Sequence, residues 1–343
     1  MNFPLITVVV SGYQQEGCIR DAVQSAFDQT YEPLEIILSD DCSTDRTFEI
    51  MKEMAANYRG PHKVVLNRQK FNSFMSHYNT LLSMANGEYF ATFDGDDISL
   101  PNRVSRLYEV IKENPRVVHV YSNAYTMSEQ GEDIGLMNRE DATQKVSQNM
   151  AGWEFFPKSL GCVQMYHRAS CLQFGTFHVP RIFDQCAVFR GNLVGEVFYL
   201  NEPLIRYRVH SKSQSGPVEE FDYEKRIALL ARRYHDYFLC WRQQKRDLEL
   251  ALSSGWIEKK RYDAINKKLI ARQCLALAQT LALQARLGAS KYHIFTPLTA
   301  SCKALYAFIL GLLFGFRIDL GRLIRMIEYR KKKRNCSCSG TTK

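Results

Sequence analysis

Short apolar runs alternate with amphipathic segments along the first hundred residues. The apolar runs are rich in β-branched and aromatic side chains, so they predict strands at residues 5–10, 34–38, 64–66 and 89–93. Between them, apolar side chains recur at helical spacing and predict helices at about 17–29, 44–58 and 76–86, with a further helix starting near Pro101. Because strands alternate with helices, we expect right-handed crossovers and a mostly parallel sheet covered by helices on both faces.

Polar side chains follow three of the predicted strands directly. They are Ser11 and Tyr13 after the first strand, Asp40 and Asp41 after the second, and Asp94 and Asp96 after the fourth. In open parallel sheets, ligands bind outside the carboxyl ends of the strands. We therefore expect these three polar clusters to converge on one crevice and to form a binding site there.

The fourth strand ends in Asp94-Gly95-Asp96-Asp97, where three carboxylates surround a glycine that suits a tight turn. Carboxylates this close repel one another unless a cation or a ligand with hydrogen-bond donors lies between them. Hard divalent cations take oxygen ligands and commonly bridge protein carboxylates to substrate phosphates. The run therefore predicts a metal–diphosphate site, with an acidic turn that caps the helix near Pro101 as the alternative.

Composition excludes several classes of protein. The 343 residues are 45% hydrophobic and 12% aromatic, as in an ordinary globular protein. The first apolar run begins at residue 5, which argues against a secretory signal, so the ten scattered cysteines are expected to be reduced thiols. No glycine-rich loop matches a dinucleotide fingerprint or a P-loop, which argues against a nicotinamide enzyme or an NTPase.

Four segments resemble, in the same order, the family 2 glycosyltransferases with the GT-A fold. They are residues 8–16, 25–47, 93–101 and 183–216, and together they reach across about residues 4–216. The resemblance implies an α/β fold with a Rossmann-like, mostly parallel sheet and flanking helices. It also implies an activity that transfers a sugar from a nucleotide donor with inversion of configuration.

The resemblance implies which residues bind the nucleotide. Asp40 accepts a hydrogen bond from the imide of a uracil ring, and Ser11 and Tyr13 line the base pocket. Glu16, the acidic residue of the first segment, belongs to the nucleotide site as well. Asp41 is expected to order the turn after the second strand, with an exchange of roles between the two aspartates as the alternative.

The resemblance also implies a cation, Mn²⁺ or Mg²⁺, that stabilises the charge developing on the departing nucleoside diphosphate. Asp94 faces the ribose or the metal, and Asp96 binds the metal directly. Asp97 is expected to cap the helix that follows. After the final strand, Arg208 approaches the nucleotide diphosphate and His210 ligates the metal, with a surface or packing role as the alternative for His210.

Asp184 is the general base that the resemblance implies, because its position corresponds to the second acid of a Glu-Asp pair in the family. Phe183 stands where the family has the first acid. This departure leaves the base in place but changes the side chains that surround the acceptor. A helix cap before residues 185–190 is the alternative role for Asp184.

The last third of the chain has a different pattern. Residues 221–284 are highly charged, with apolar side chains at helical spacing, and predict helices that pack on the catalytic domain or on a second subunit. Residues 305–316 are strongly apolar, and residues 317–334 hold eight Lys and Arg against two acidic residues. This combination is typical of insertion into an anionic membrane surface, with a buried helix or dimer contact as the alternative.

These patterns predict three domains and a function. A GT-A catalytic domain covers residues 1–216, with a nucleotide-binding half at 1–123 and an acceptor half at 124–216. A helical extension follows at 217–294, and a membrane-associating tail at 295–343 contacts lipid through residues 295–334. Much of the net charge of +9 lies in this tail, which favours lipid over nucleic acid as the partner.

The predicted enzyme is a metal-dependent inverting glycosyltransferase at the cytoplasmic face of the inner membrane. Its donor is expected to be a UDP-sugar, and its acceptor a hydroxyl of a glycan or lipid-linked glycan in bacterial surface polysaccharide synthesis. Two alternatives stay open: a nucleotidyltransferase-like enzyme, and a non-catalytic GT-A scaffold that binds a partner through its helical tail. The oligomeric state also stays open.

Overall fold

The computed structural model describes residues 3–138, 144–145, 160–179, 183–209 and 223–292. The predicted metal ligand His210 and the predicted membrane tail at 295–343 lie outside these residues. The described strands are β1 Ile6–Gly12, β2 Leu34–Asp40, β3 Lys63–Arg68, β4 Tyr89–Asp94, β5 Ile98–Ser99, β6 Val117–Met127, β7 Asp133–Leu136, β8 Gln144–Lys145, β9 Gln164–His167 and β10 Glu196–Arg208. The described helices are α1 Ile19–Phe27, α2 Thr47–Asn57, α3 Phe74–Met84, α4 Arg103–Glu113, α5 Arg168–Leu172, α6 Phe183–Val194, α7 Tyr223–Ser253 and α8 Lys259–Tyr292.

The described strands form one mixed sheet in the order β3-β2-β1-β4-β9-β6-β10-β5, with β7 beside β6 and β8 beside β10. Strands β1 to β4 pair in parallel, and β6 pairs in parallel with β10. Strand β9 runs antiparallel between β4 and β6 and joins the two parallel halves. The expected α/β fold is therefore confirmed, with a mixed sheet in which the longest pairings are parallel. The antiparallel pairing of β5, β7, β8 and β9 was not predicted from the sequence pattern.

Helices cover both faces of the sheet. Side chains of β1 alternate between the faces, with Val8 and Val10 packing against α1, α2 and α4, and Val9 packing with α3 and α6. Every residue of β2 is buried, as expected for a central parallel strand enclosed on both sides. This enclosure explains why the first strands appear in the sequence as nearly continuous apolar runs.

The strand register brings the predicted polar ends together. Ser11 at the end of β1 lies opposite Ser39 in β2 and opposite Asp94 in β4. The next residue, Gly12, lies opposite Asp40. Since all three strands point the same way, their carboxyl ends form one edge of the sheet, and the loops that leave this edge carry the candidate site.

The described residues after β10 form the two long helices α7 and α8, and a helical extension was predicted there. The chain divides into two compact units, one with residues 1–217 and 239–269 and the other with residues 218–238 and 270–343. In the second unit, Ile227, Ala231 and Leu283 form a small apolar cluster. Within the described residues, no helix combines the length and the apolar composition needed to cross a membrane. The division into domains at 216 and 294 stays a prediction.

Candidate active site

The loop after β1 is tied to the loop after β2. Gln14, which has a φ of +56°, donates its backbone N–H to Ser43 Oγ at 2.9 Å. Glu16 Oε2 accepts a hydrogen bond from the backbone N–H of Arg46, directly before α2, at 3.0 Å. A non-glycine residue with positive φ costs energy and persists only where its surroundings hold it. Glu16 therefore braces this loop, while the side chain of Tyr13 remains 47% exposed.

The two aspartates after β2 have different partners. Asp40 is fully buried, and its Oδ2 accepts from the Ser43 N–H at 2.9 Å and lies 3.3 Å from Arg68 Nε. Its Oδ1 is buried without a hydrogen-bond partner among the described residues. Asp41 accepts from Asn72 Nδ2 and from the Ser73 N–H, each at 3.1 Å. Asp41 therefore orders the turn before α3, and the role of Asp40 in base binding stays a prediction.

A buried histidine of α3 contacts two side chains at the end of β2 and was not predicted from the sequence. His77 Nε2 lies 2.6 Å from Ser39 Oγ, which also accepts a hydrogen bond from Asn67 Nδ2 at 2.8 Å. His77 Nδ1 faces Asp41 Oδ1 at 3.7 Å. Burial lowers the pKa of His77 to about 4, so the ring is neutral at physiological pH. Its neighbours favour the tautomer that carries the proton on Nδ1, towards Asp41.

The turn after β4 packs tightly against β1, and glycine is required there. A Cβ at Gly95 would lie 2.4 Å from Gln15 Oε1 and 2.9 Å from the carbonyl oxygen of Ser11. The Gly95 N–H donates to that same carbonyl at 2.9 Å. This close approach holds the flanking residues Asp94 and Asp96 at the end of β1, beside the predicted base pocket.

Two carboxylates of this turn, those of Asp94 and Asp97, have a raised proton affinity. Burial, the nearby carboxylate of Asp96 and that of Asp184 raise the pKa of Asp94 to about 7, although the Arg103 guanidinium lowers it. Burial and the nearby carboxylates of Asp96 and Asp94 raise the pKa of Asp97 well above its usual value. A divalent cation between these oxygens would relieve the repulsion, so the residues present fit the predicted metal.

Asp97 and Arg208 connect the turn to β10. The backbone N–H of Arg208 donates to Asp97 Oδ1 at 2.9 Å, and its Nε donates to the carbonyl oxygen of Asp96 at 2.9 Å. Its Nη1 donates to the carbonyl oxygen of Glu129 at 2.7 Å. Helix α4 starts after Asn102, without a side-chain cap, so the expected capping role of Asp97 was wrong. The structure brings Arg208 to the turn, with its guanidinium held by main-chain oxygens.

Asp184 lies in the first turn of α6 and is partly exposed. Burial raises the pKa of Asp184 to about 7, although the backbone N–H groups of Gln185 and of Asp184 itself lower it. The preceding residue, Phe183, is buried, and its ring centroid lies 3.6 Å from that of Tyr78 and 6.1 Å from that of Phe177. An aromatic core side chain therefore occupies the position where the resemblance implies an acid.

Arg103 is a further charged residue of the site that was not predicted from the sequence. It is fully buried, donates to Ser99 Oγ and to the carbonyl oxygen of Thr92 at 2.9 Å each, and lies 4.2 Å from the centre of the Phe93 ring. Burial lowers the pKa of Arg103 to about 10, opposed by the neighbouring Cys162, Asp97 and Asp94. It remains a cation beneath the carboxylates, where it offsets part of their charge.

Comparison with known families matches this site to a single family. Residues 7–191, more than half of the chain, match the family described as glycosyl transferase family 2. The chain belongs to this family. The matched residues include the β1 loop, both aspartates after β2, the turn at Asp94 to Asp97, and Asp184, so the family assignment made from four sequence segments is confirmed.

Characterised members differ in how much of their length is matched. The glycosyltransferase GlyG of Streptococcus pneumoniae is 29% identical over 222 residues, which are 61% of this chain and 72% of GlyG. The UDP-Glc:α-D-GlcNAc-diphosphoundecaprenol β-1,3-glucosyltransferase WfaP of Escherichia coli is 29% identical over 121 residues, 35% of this chain and 46% of WfaP. The chain spans less than half the length of the first curated relatives it matches.

Solved structures show the same fold. TarS of S. aureus in complex with UDP-GlcNAc has a TM-score of 0.51 at 15% identity, covering 84% of this chain and 92% of the TarS chain. The mannosyltransferase PcManGT of Pyrobaculum calidifontis, in complex with GDP-Man and Mn²⁺, has a TM-score of 0.50 at 15% identity, covering 94% and 85%. At this identity the likeness shows the fold alone, and it confirms the GT-A architecture.

Proposed function

We propose that this family 2 glycosyltransferase moves a sugar from a UDP-sugar to a glycan hydroxyl in one metal-dependent, inverting displacement. The observation that carries the proposal is the convergence of Asp94, Asp96 and Asp184 at the carboxyl edge of the sheet, close enough for their charges to interact. A UDP-sugar donor is supported by TarS, which binds UDP-GlcNAc, and by WfaP, which uses UDP-Glc. PcManGT, which binds GDP-Man and Mn²⁺, supports a nucleotide-sugar donor together with a metal ion.

In this proposal, Asp94 and Asp96 hold Mn²⁺ or Mg²⁺ at the turn after β4, with His210 as a further ligand. When bound, the cation supplies Lewis-acid stabilisation of the departing nucleoside diphosphate. Arg103 keeps a positive charge beneath the turn, and Arg208 positions the backbone carbonyl of Asp96 and the carboxylate of Asp97. The carboxylates of Asp94 and Asp96 are thus held in place for the cation before the reaction begins.

Asp184 accepts the proton of the attacking hydroxyl. A carboxyl group with a pKa of about 7 is well matched to this role near neutral pH, since about half of it is ionised there and the carboxylate is basic enough to take the proton. The hydroxyl attacks the face of the sugar opposite the diphosphate, so a single displacement inverts the anomeric centre. Phe183 contributes an apolar wall next to this base.

The acceptor in this proposal is a lipid-linked glycan of a bacterial surface polysaccharide. WfaP, whose printed substrate is a diphosphoundecaprenol-linked sugar, supports this class of acceptor. The apolar residues 305–316 and the basic residues 317–334 would place the enzyme peripherally at the cytoplasmic face of the inner membrane.

The donor site can be tested by calorimetric titration of UDP and of GDP into the protein, with Mn²⁺ and then with EDTA. We expect UDP to bind in the presence of Mn²⁺, and Asp96→Asn to remove the metal-dependent part of that binding because it removes a metal ligand. Asp263→Asn, an exposed aspartate in α8, is the matched control and should bind as the unmodified protein does. Equal UDP affinity with Mn²⁺ and with EDTA would contradict the proposed metal role.

Membrane contact can be tested by vesicle flotation. Replacing all five basic residues at 330–334 by Gln should release the protein from vesicles that contain anionic phosphatidylglycerol, since each basic residue contributes about 1 kcal/mol at an anionic surface. Vesicles of pure phosphatidylcholine are the control, on which the two proteins should behave alike. Unchanged flotation of the five-fold variant on anionic vesicles would reject the tail as the membrane contact.

A further inference from the structure

A thiol lies among the carboxylates of the turn after β4. One ligand atom from each of Asp94, Asp97 and Cys162 lies within 4.8 Å of the other two. Cys162 is 1% exposed and Asp97 is 4% exposed, whereas Asp94 is only partly buried and faces the crevice. Asp97 and Cys162 are therefore enclosed, and an ion could reach the cluster from the side of Asp94.

The hydrogen bonds of Asp97 leave one of its oxygens available. Asp97 Oδ1 accepts from the Arg208 N–H, but Oδ2 is buried and has no hydrogen-bond partner among the described nitrogen and oxygen atoms. The Asp97 carboxylate lies beside the thiol of Cys162, which is a weak hydrogen-bond donor. A buried carboxylate oxygen without a strong donor is costly, and coordination of a cation is one way to satisfy it.

The charges around the cluster also suit a divalent cation. Two carboxylates and a thiolate carry three negative charges, and the adjacent guanidinium of Arg103 carries one positive charge. A divalent ion would bring the sum to zero. Arg103 Nη2 also donates to the carbonyl oxygen of Cys162, which fixes the backbone that carries the sulfur.

We propose that Asp94, Asp97 and Cys162 bind a thiophilic divalent cation of the Zn²⁺ and Co²⁺ class. A thiolate ligand favours these ions over Mg²⁺ and Mn²⁺, which prefer oxygen. Three protein ligands leave a fourth tetrahedral position for water, on the side of the partly exposed Asp94. When sulfur binds the ion, the Cys162 thiol releases its proton to solvent.

We call the site formed by Asp94, Asp97 and Cys162 the inner site. Its ligand Asp94 is also a proposed ligand of the catalytic cation, but Asp96 belongs to the catalytic cation alone. Occupancy by Zn²⁺ would therefore withdraw one ligand from the catalytic ion and weaken nucleotide binding. This consequence rests on the proposed function, whereas the existence of the inner site does not. Zinc bound at the inner site would therefore inhibit sugar transfer.

The site can be tested with Co²⁺, because cobalt bound to a thiolate has a charge-transfer absorption in the near ultraviolet that oxygen ligands do not give. Titration of Co²⁺ into the full-length protein under reducing conditions should produce this band with one ion per chain. Cys162→Ser should abolish the band and weaken Co²⁺ binding at least about tenfold, since even second-shell changes cost that much. Asp97→Asn should also weaken Co²⁺ binding.

Cys186→Ser is the matched control. Cys186 is also buried, and its sulfur lies 3.5 Å from that of Cys240, so this pair is an alternative source of thiolate ligands. The band should persist in Cys186→Ser. Absence of a thiolate band in the Co²⁺-loaded protein, persistence of the band in Cys162→Ser, or its loss in Cys186→Ser would each overturn the proposal.

Two further measurements separate this site from the proposed function and from a folding defect. Asp96→Asn should keep the cobalt band while losing Mn²⁺-dependent UDP binding. Thermal unfolding without metal checks that Cys162→Ser is folded, and added Zn²⁺ should raise the Tm of the unmodified protein but not of Cys162→Ser. An equal rise of Tm in both proteins would also count against the inner site.

Discussion

Replacing Asp184 by Asn should slow sugar transfer by about 10²- to 10⁴-fold, the range that a positioned general base contributes. The amide has nearly the same size as the carboxyl group but cannot take the proton of the acceptor hydroxyl. The affinity for UDP should remain nearly unchanged, because Asp184 acts on the acceptor side. The measurement is the initial rate of transfer with saturating Mn²⁺, alongside calorimetric titration of UDP.

The pH dependence of transfer gives a second readout for Asp184. Since burial raises the pKa of this base to about 7, transfer should be lost as the pH falls through that region and be fully present above it. Below the pKa, the ionised fraction falls about tenfold for each pH unit. This acid limb should be absent in Asp184→Asn and unchanged in the control Asp263→Asn. If Asp184→Asn kept the transfer rate of the unmodified protein at neutral pH, the general base would have to be another residue.

The strands that bear the site could be predicted because their environment is simple. β1, β2 and β4 are enclosed by helices on both faces, so most of their positions are apolar, and polar side chains gather at their carboxyl ends. Parallel register then places Ser11 beside Asp94 without any further information. The same reasoning predicted the convergence of the carboxylates on one edge.

Other parts of the site depend on contacts between distant segments. Arg103 stands at the start of an amphipathic helix, where an arginine is normally exposed. It is buried here because the carbonyl oxygen of Thr92 and the carboxylates of the turn after β4 surround it. β9 has four residues and pairs with strands about 45 and 75 positions earlier. No local pattern indicates such a pairing. Cys162 and His77 belong to the site for the same long-range reason.

A buried ion pair holds the helix that carries Asp184. Arg190 on α6 is fully buried and donates to Asp247 at 2.9 and 3.2 Å, to the carbonyl oxygen of Gly175 at 2.9 Å and to that of Cys171 at 3.2 Å. It therefore ties α6 to the segment after α5 and to the second half of α7. Its sequence position, two turns into a short helix, gives no indication of this role.

Arg190→Met should lower the free energy of unfolding by about 3–5 kcal/mol, because it leaves the carboxylate of Asp247 buried without its cation. The double variant Arg190→Met with Asp247→Leu should recover part of this loss, since no charge is then stranded in the core. The measurement is chemical denaturation of each variant, combined as a double-mutant cycle. A double variant as unstable as the single one would show that the loss comes from packing or from the carbonyl contacts.

The control for this prediction is an ion pair of equal length at the surface. Lys259 Nζ lies 2.9 Å from Asp263 Oδ1, the same distance as between Arg190 Nε and Asp247 Oδ2, but both side chains are more than half exposed. Lys259→Met should therefore lower the free energy of unfolding by only about 0–1 kcal/mol.

Lower pH should reduce the difference in the free energy of unfolding between Arg190→Met and the unmodified protein. The reason is that Asp247, once it has lost its cation, would bind a proton more tightly in the folded chain than in the unfolded one. Burial, rather than the distance between the charges, thus determines how much each pair contributes to the fold that positions Asp184.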